Sequence, residues 1–353
     1  MNVFIDYHHS GLLYAMHLTL EKRFGWNIFR PIGMEWFQRG FWDIAKPYGN
    51  NIETVKQFLS LNPNQEPVAD SPPLNNVRHR DPRLTHYTVE DIYHDYDQNA
   101  LTFQQFLEAD IDVIIGSIPD HWRTYKKLRD EFKPNAKVVA HMGNMFNELP
   151  HALSEGVIEN LMASTITFPI NNPKVSSVFY YQEQPILPYV PPTKTMKISS
   201  YAHVIPKFEQ FEELKQAMPS YDLRAYGSAC PDGWMPSLQA LYASMQQDMF
   251  VYHVKPGGDG YGWNWHSAYM AGRPVITNFS DCKDKLGGLL FEDGVTGIDM
   301  EKQPLQDTVR RIESIIESGS YRQMAAAARM KWEALVNYDN EADKLKTFFE
   351  NLH

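Results

Sequence analysis

The sequence predicts an α/β protein of two similar domains, each a parallel sheet wrapped by helices. Three observations carry this. Short apolar runs, long enough for buried strands, alternate with stretches whose apolar residues recur at helical spacing. The alternation breaks at a proline-rich stretch near the middle and then starts again. The chain has 353 residues, too many for one ordinary α/β domain and suited to two of roughly 150–200 residues.

In order, residues 2–6 (NVFID) read as a buried strand, followed by the polar turn Tyr7-His8-His9-Ser10-Gly11. Leu12, Leu13, Met16, Leu20 and Phe24 then recur at helical spacing, and Gly25 ends that helix. Residues 27–31 return as a second strand. Residues from about 40 to 100 are polar and rich in Pro, Asn, His and Tyr, and read as an irregular insertion. Strands at 112–117, 136–140 and 163–168 and a helix at 121–132 resume the alternation. Four prolines within 183–195 make a stiff linker, because proline fixes φ and removes a donor. The second half carries strands at 197–204, 221–226, 249–254 and 273–277, with helices between and after them. This gives an N-terminal domain over 1–185, a linker over 186–195, a C-terminal domain over 196–337 and a last helix within 338–353.

Composition narrows the class. The hydrophobic fraction of 43% is enough for two cores. Net charge is −10, and neither half is basic: 16 Lys and Arg stand against 22 Asp and Glu in 1–192, and 17 against 21 in 193–353. Bulk charge therefore argues against non-specific nucleic-acid binding. Two cysteines, Cys230 and Cys282, exclude a disulfide framework and a four-cysteine zinc site. No leader-like or membrane-spanning run appears, so a cytoplasmic protein is expected. There is no His-Glu-x-x-His or Gly-x-Ser-x-Gly, and no metal site is expected.

The most informative segment is residues 254–276, VKPGGDGYGWNWHSAYMAGRPVI. It lies between a strand and a helix, where ligands bind in open α/β sheets. Gly257, Gly258, Gly260 and Gly262 let backbone approach a ligand, and the following helix offers free N–H groups to a phosphate. Asp259-Gly260-Tyr261-Gly262, then Ala268 to Ile276 with Gly272-Arg273-Pro274-Val275, then Asp293-Gly294-Val295-Thr296-Gly297 occur in that order.

These three pieces resemble the C-terminal donor-binding signature of retaining GT-B glycosyltransferases of the family-4-like group. The resemblance implies two Rossmann-like domains facing a cleft, with a nucleotide sugar, UDP-sugars such as UDP-glucose favoured, held by the C-terminal one. It implies Asp259 against the donor sugar. In the family a second acidic residue holds the ribose; that place falls on Ser267 here, next to His266. Either side chain offers a neutral hydrogen bond instead. Lys207 matches the lysine that neutralises the diphosphate; the companion arginine is replaced by Tyr201, and Lys255 beside the glycine loop is the candidate second cation. His141 is the candidate catalytic residue facing the donor sugar from the N-terminal domain. In the loop after the first strand, Ser10 and Gly11 are expected on the donor side and His8 and His9 on the acceptor side. The implied reaction proceeds with retention, needs no cofactor and needs no metal. The acceptor is left open between a saccharide, a small molecule and hydroxymethylated pyrimidines in DNA. A nucleotide-sugar 2-epimerase or a non-catalytic binding protein shares the same architecture.

Overall fold

The alternation read along the chain is realised in two parallel sheets. The computed structural model describes residues 1–6, 15–31, 100–101, 103–117, 119–142, 149–164, 172–202, 208–227, 230–233, 235, 238–255 and 261–353. The chain divides into two units: Met1–Ala163, Pro169–Glu183 and Ala342–His353 form the first, and Ser164–Phe168 with Gln184–Glu341 the second. The sequence-expected insertion at 40–100 lies almost wholly outside the described residues.

Unit 1 holds a sheet with seven strands among the described residues: β1 (Asn2–Asp6), β2 (Asn27–Pro31), β3 (Ala100–Leu101), β4 (Val113–Gly116), β5 (Lys137–Met142), β6 (Asn160–Ala163) and β7 (Ser176–Phe179). The spatial order is β3-β2-β1-β4-β5-β6-β7, with parallel pairs throughout. Every residue of β4 is buried, as expected of a parallel strand covered on both faces. The helix over His17–Arg23 (α1) follows β1, and Phe103–Glu108 (α2), Pro119–Phe132 (α3) and Leu149–Ser154 (α4) come later. Phe106 from α2 and Tyr125 and Leu128 from α3 pack on Phe4, Ile114 and Val138 of the sheet. Burying one such large apolar side chain is worth about 1.5–3 kcal/mol.

Unit 2 holds five strands among its described residues: β8 (Lys197–Ser200), β9 (Asp222–Ala225), β10 (Phe250–Tyr252), β11 (Val275–Thr277) and β12 (Gly297–Asp299). Their order is β12-β11-β10-β8-β9, again with parallel pairs. Helices α5 (Phe208–Ala217), α6 (Leu238–Met245), α7 (Trp263–Met270), α8 (Leu305–Ser318) and α9 (Tyr321–Leu335) belong to it. Helix α8 buries Thr308, Val309, Ile312 and Ile316, a single stripe, and ends on Gly319 at φ +78°. The last helix, α10 (Tyr338–Glu350), begins in unit 2 and ends in unit 1, where Phe349 meets Trp26 edge-on at 5.3 Å.

Two strand expectations need correction. For the strand expected at 163–168, the described residues hold a strand over Asn160–Ala163 and a bend at Ser164, and 165–168 lie outside them. The β-branched residues of 165–167 draw the eye, but buried Asn160 opens the strand by donating its amide to the Val138 carbonyl at 2.9 Å. Strands β7 and β12 were not anticipated; they have four and three residues and end their sheets. Residues 180–196 carry no regular structure, as the proline content predicts. Met196 takes a positive φ of 61° just before β8.

Candidate functional site

In each sheet the strand order reverses once, between β1 and β4 in unit 1 and between β8 and β10 in unit 2. Chains leaving the carboxyl ends of such a strand pair turn in opposite directions and open a crevice, the usual ligand site of open α/β sheets.

At the reversal in unit 2, the chain leaving β10 runs through buried His253 and Val254 to half-buried Lys255, and re-enters the described residues at Tyr261. Gly262 precedes α7 with φ +69° and ψ +58°, a left-handed conformation that glycine adopts without penalty. It gives α7 no side-chain cap, so the first amides of the helix lack the usual capping oxygen. The first turn carries no acidic residue. The amino end of α7 is thus a positive dipole end without a side-chain cap, a setting suited to an anion.

The side chains behind that end are tied down. The Asn264 amide donates to the Tyr201 carbonyl at 2.6 Å, and so spans the reversal from α7 to the end of β8. Tyr261 stacks in parallel on His266 at 4.2 Å. His266 is wholly buried, and burial pushes its pKa down to about 3, so the imidazole is neutral. Ser267, also wholly buried, donates its hydroxyl to the Gln184 side-chain oxygen at 2.9 Å, and the Gln184 amide reaches the Trp263 carbonyl at 3.4 Å. Trp265 is buried against His253, Tyr269 and Phe291, while Trp263 is half-buried. The Thr277 hydroxyl holds the His253 carbonyl at 2.7 Å, and Asn278 and Gln210 exchange amide hydrogen bonds at the end of β11.

The other motif pieces are structural in their contacts. Gly272 has φ +67°, and an added Cβ would lie 2.4 Å from the Tyr189 ring. The buried Thr296 hydroxyl donates to the Leu290 carbonyl at 3.0 Å and accepts the Glu292 amide at 2.8 Å, closing the Asp293–Gly297 turn. Asp293 accepts from the Asp299 amide and Arg311. Arg273 is wholly buried and its guanidinium donates to the carbonyls of Val190, Ala271, Gly272 and Gln246. Tyr201 does not stand in for a diphosphate cation. Its ring stacks on Tyr226 and its hydroxyl donates to Asp248 at 2.6 Å, in a buried cluster with Ser199, Ser244 and Lys197.

At the reversal in unit 1, Asp6 ends β1 wholly buried and accepts the Tyr125 hydroxyl at 2.7 Å. Two strands away, across β4, His141 near the end of β5 is wholly buried with Nε2 3.0 Å from the Tyr180 hydroxyl. Burial pushes its pKa down to about 3, so it too is neutral. The Asp6–Tyr125 and His141–Tyr180 pairings join residues 119 and 39 positions apart; no local pattern signals them.

Of the residues picked out from sequence, Tyr261, Gly262, His266 and Ser267 lie at the start of α7 in unit 2, Lys255 follows β10 in the same unit, and His141 lies in unit 1. His8, His9, Ser10, Gly11, Lys207, Gly258, Asp259 and Gly260 lie outside the described residues. Gln184 was not singled out, because nothing in a proline-rich stretch marks it. Among the described residues no three His, Cys, Asp or Glu side chains are grouped so as to hold a metal ion. No helix among them is long and apolar enough to cross a membrane.

No protein-family model and no curated protein sequence matches the chain. Solved structures do. HepE from Anabaena, in complex with UDP and glucose, is similar over 100% of both chains at 12% identity and a TM-score of 0.58. A glycosyltransferase from Rickettsia africae matches 99% of this chain and 97% of its own at 12% identity and a TM-score of 0.54. TarM from S. aureus matches 68% of this chain at 14% identity and a TM-score of 0.52, and this chain spans only 55% of TarM. Together with the two reversed parallel sheets, these likenesses establish the architecture: the chain has the GT-B fold, two Rossmann-like α/β units.

Proposed function

We propose that the chain is a glycosyltransferase that takes its sugar from a UDP-sugar bound at the strand reversal of unit 2. One observation carries the reading. The glycine-rich motif runs into an uncapped helix end with no acid in its first turn, at the one place in that sheet where the strand order reverses. The structures similar to it include HepE with UDP and glucose and TarM with UDP, which favours UDP over other nucleotides.

In this reading the acceptor hydroxyl oxygen bonds to the anomeric carbon as the bond from that carbon to the diphosphate oxygen breaks. The electron pair of the broken bond goes to the departing phosphate oxygen, which also takes up the hydroxyl proton. Negative charge builds on the leaving group, where the amides of α7 and the cations Lys255 and Lys207 stabilise it. Asp259 and the backbone of Gly258, Gly260, Tyr261 and Gly262 contact the donor. His266 and Ser267 frame the site. Neutral His141 offers a hydrogen bond, not a charge, to the sugar, with Ser10 and Gly11 beside the donor and His8 and His9 toward the acceptor. Transfer with retention, without a metal, follows from the motif resemblance. The net charge of −10 favours a saccharide acceptor over DNA.

A thermal-shift panel of UDP, GDP, ADP and their sugar conjugates tests the donor. A ligand at about a hundred times its dissociation constant adds roughly 2.7 kcal/mol, or several degrees at about 2–4 °C per kcal/mol. UDP and a UDP-sugar are expected to raise Tm by that amount. A panel with no shift sinks the donor site.

A further inference from the structure

The Gln184 side chain lies across one turn of α7. Its oxygen accepts from Ser267 and its amide donates to the carbonyl of Trp263, four residues earlier on the same helix face. Gln184 is 2% exposed and Ser267 wholly buried, so water does not replace either bond. A serine inside a helix ordinarily turns its hydroxyl back to the carbonyl four residues before it, which loosens and bends the helix. Here that carbonyl is Trp263, at the first turn. Gln184 takes both partners and prevents the back-bond. Asn264 pins the neighbouring flank to the Tyr201 carbonyl, and the Tyr261–His266 stack fixes the entry of the chain into the helix.

We propose that Gln184 is a positioning residue for the donor, acting through Ser267 and the Trp263 carbonyl to hold the first turn of α7 at a fixed rotation. The proposal rests on the donor-site reading above. Its physical basis is that the amides of a helix start stabilise an anion only where their N–H vectors converge, and a displacement of about 1 Å is enough to lose most of that gain. Gln184 never touches the nucleotide; it sets the direction of the groups that do.

The test is titration of UDP into the full chain and into Gln184→Met, Ser267→Ala and the double variant, with Tm measured alongside. Methionine keeps the length and packing of glutamine and removes both hydrogen bonds. Each single variant is expected to weaken UDP about tenfold, as loss of a supporting hydrogen bond does elsewhere. The double variant is expected to bind no more weakly than Gln184→Met alone, because the two side chains act as one unit. UDP affinity within twofold of the parent in the single variants, whatever their Tm, means a purely structural role and overturns the proposal. Additive losses in the double variant overturn it as well. If Gln184→Met does not fold, Ser267→Ala breaks the same bond from the other side and decides alone. Failure of the parent itself to bind UDP overturns the donor-site reading, and this inference with it.

Discussion

At the strand reversal of unit 1 the crevice end of β1 is occupied by a side chain, the buried carboxyl of Asp6 held by Tyr125. At the reversal of unit 2 the described feature is the amino end of α7 after Gly262, with no side-chain cap and no acidic residue in its first turn. The two sheets share parallel topology and one reversal each, so the contrast is between the described groups beside each reversal. A carboxylate opposes an anionic ligand, while convergent amides and a helix dipole attract one. The comparison teaches that the fold supplies two strand reversals, and the proposed function puts the diphosphate at the one whose described groups favour an anion. A pair of substitutions breaks the comparison if it is wrong. Gly262→Val forces a β-branched residue into the left-handed region, at more than about 1–2 kcal/mol of strain, and displaces the first amides of α7. Donor kcat/KM is expected to fall about 100-fold, with the unit 1 core intact. Asp6→Ala strands the buried Tyr125 hydroxyl and is expected to cost about 1–3 kcal/mol of stability, with UDP affinity unchanged. Titration calorimetry and urea unfolding on both variants check this. Loss of UDP binding in Asp6→Ala, or its survival in Gly262→Val, would place the anion site in the wrong unit.

The buried histidines extend the same contrast to pH. His141 in unit 1 and His266 in unit 2 both have pKa values pushed down to about 3 by burial. The unfolded chain takes up a proton on each near pH 6.5, and the folded chain does not. Stability present above pH 6.5 is therefore lost as pH falls toward 3. At pH 5 each histidine accounts for about 2 kcal/mol of loss relative to pH 7.5. Asp248 runs the other way: burial raises its pKa to about 6, so the folded state holds its proton more tightly and this group favours folding as pH falls below 6. His266→Phe keeps a ring against Tyr261 and removes the titration. Denaturant unfolding of that variant at pH 7.5 and 5.0 is expected to show an acid loss smaller by about 2 kcal/mol than in the parent. Equal losses in both would mean that His266 is protonated, or reached by water, in the folded chain.

What the sequence makes legible follows range. The strands and helices of both sheets show as apolar runs and helical stripes because burial acts on neighbouring residues. Gly272 is legible within the motif, and the structure supplies its reason: the Tyr189 ring lies where a Cβ would be. Gly262 is legible in the same way through its positive φ. The short edge strands β7 and β12 were missed because three or four residues carry too little periodicity. The inward turn of the Tyr201 hydroxyl to Asp248, 47 positions on, is likewise set across the fold and not by local pattern. Gln184 and Ser267 lie 83 positions apart, and no local pattern connects them. The candidate site was thus readable where glycine, helix start and strand end adjoin in sequence, and unreadable where side chains meet across the fold.

The smallest expected effect sharpens the account of unit 2. Asn264 and Gln184 hold neighbouring flanks of α7, Asn264 to a carbonyl at the end of β8 and Gln184 to a hydroxyl one turn deeper. Asn264 is only half-buried, so water takes over part of its hydrogen bond when the side chain is removed. Asn264→Ala is therefore expected to weaken UDP about threefold, less than the loss at Gln184, and to lower stability by about 0.5–1.5 kcal/mol. UDP titration beside Gln184→Met measures the ranking. If Asn264→Ala is the more damaging, α7 is aimed chiefly by the β8 end of the reversal. The buried amide of Gln184 then serves the core, and the polarity of the comparison between the two flanks is reversed.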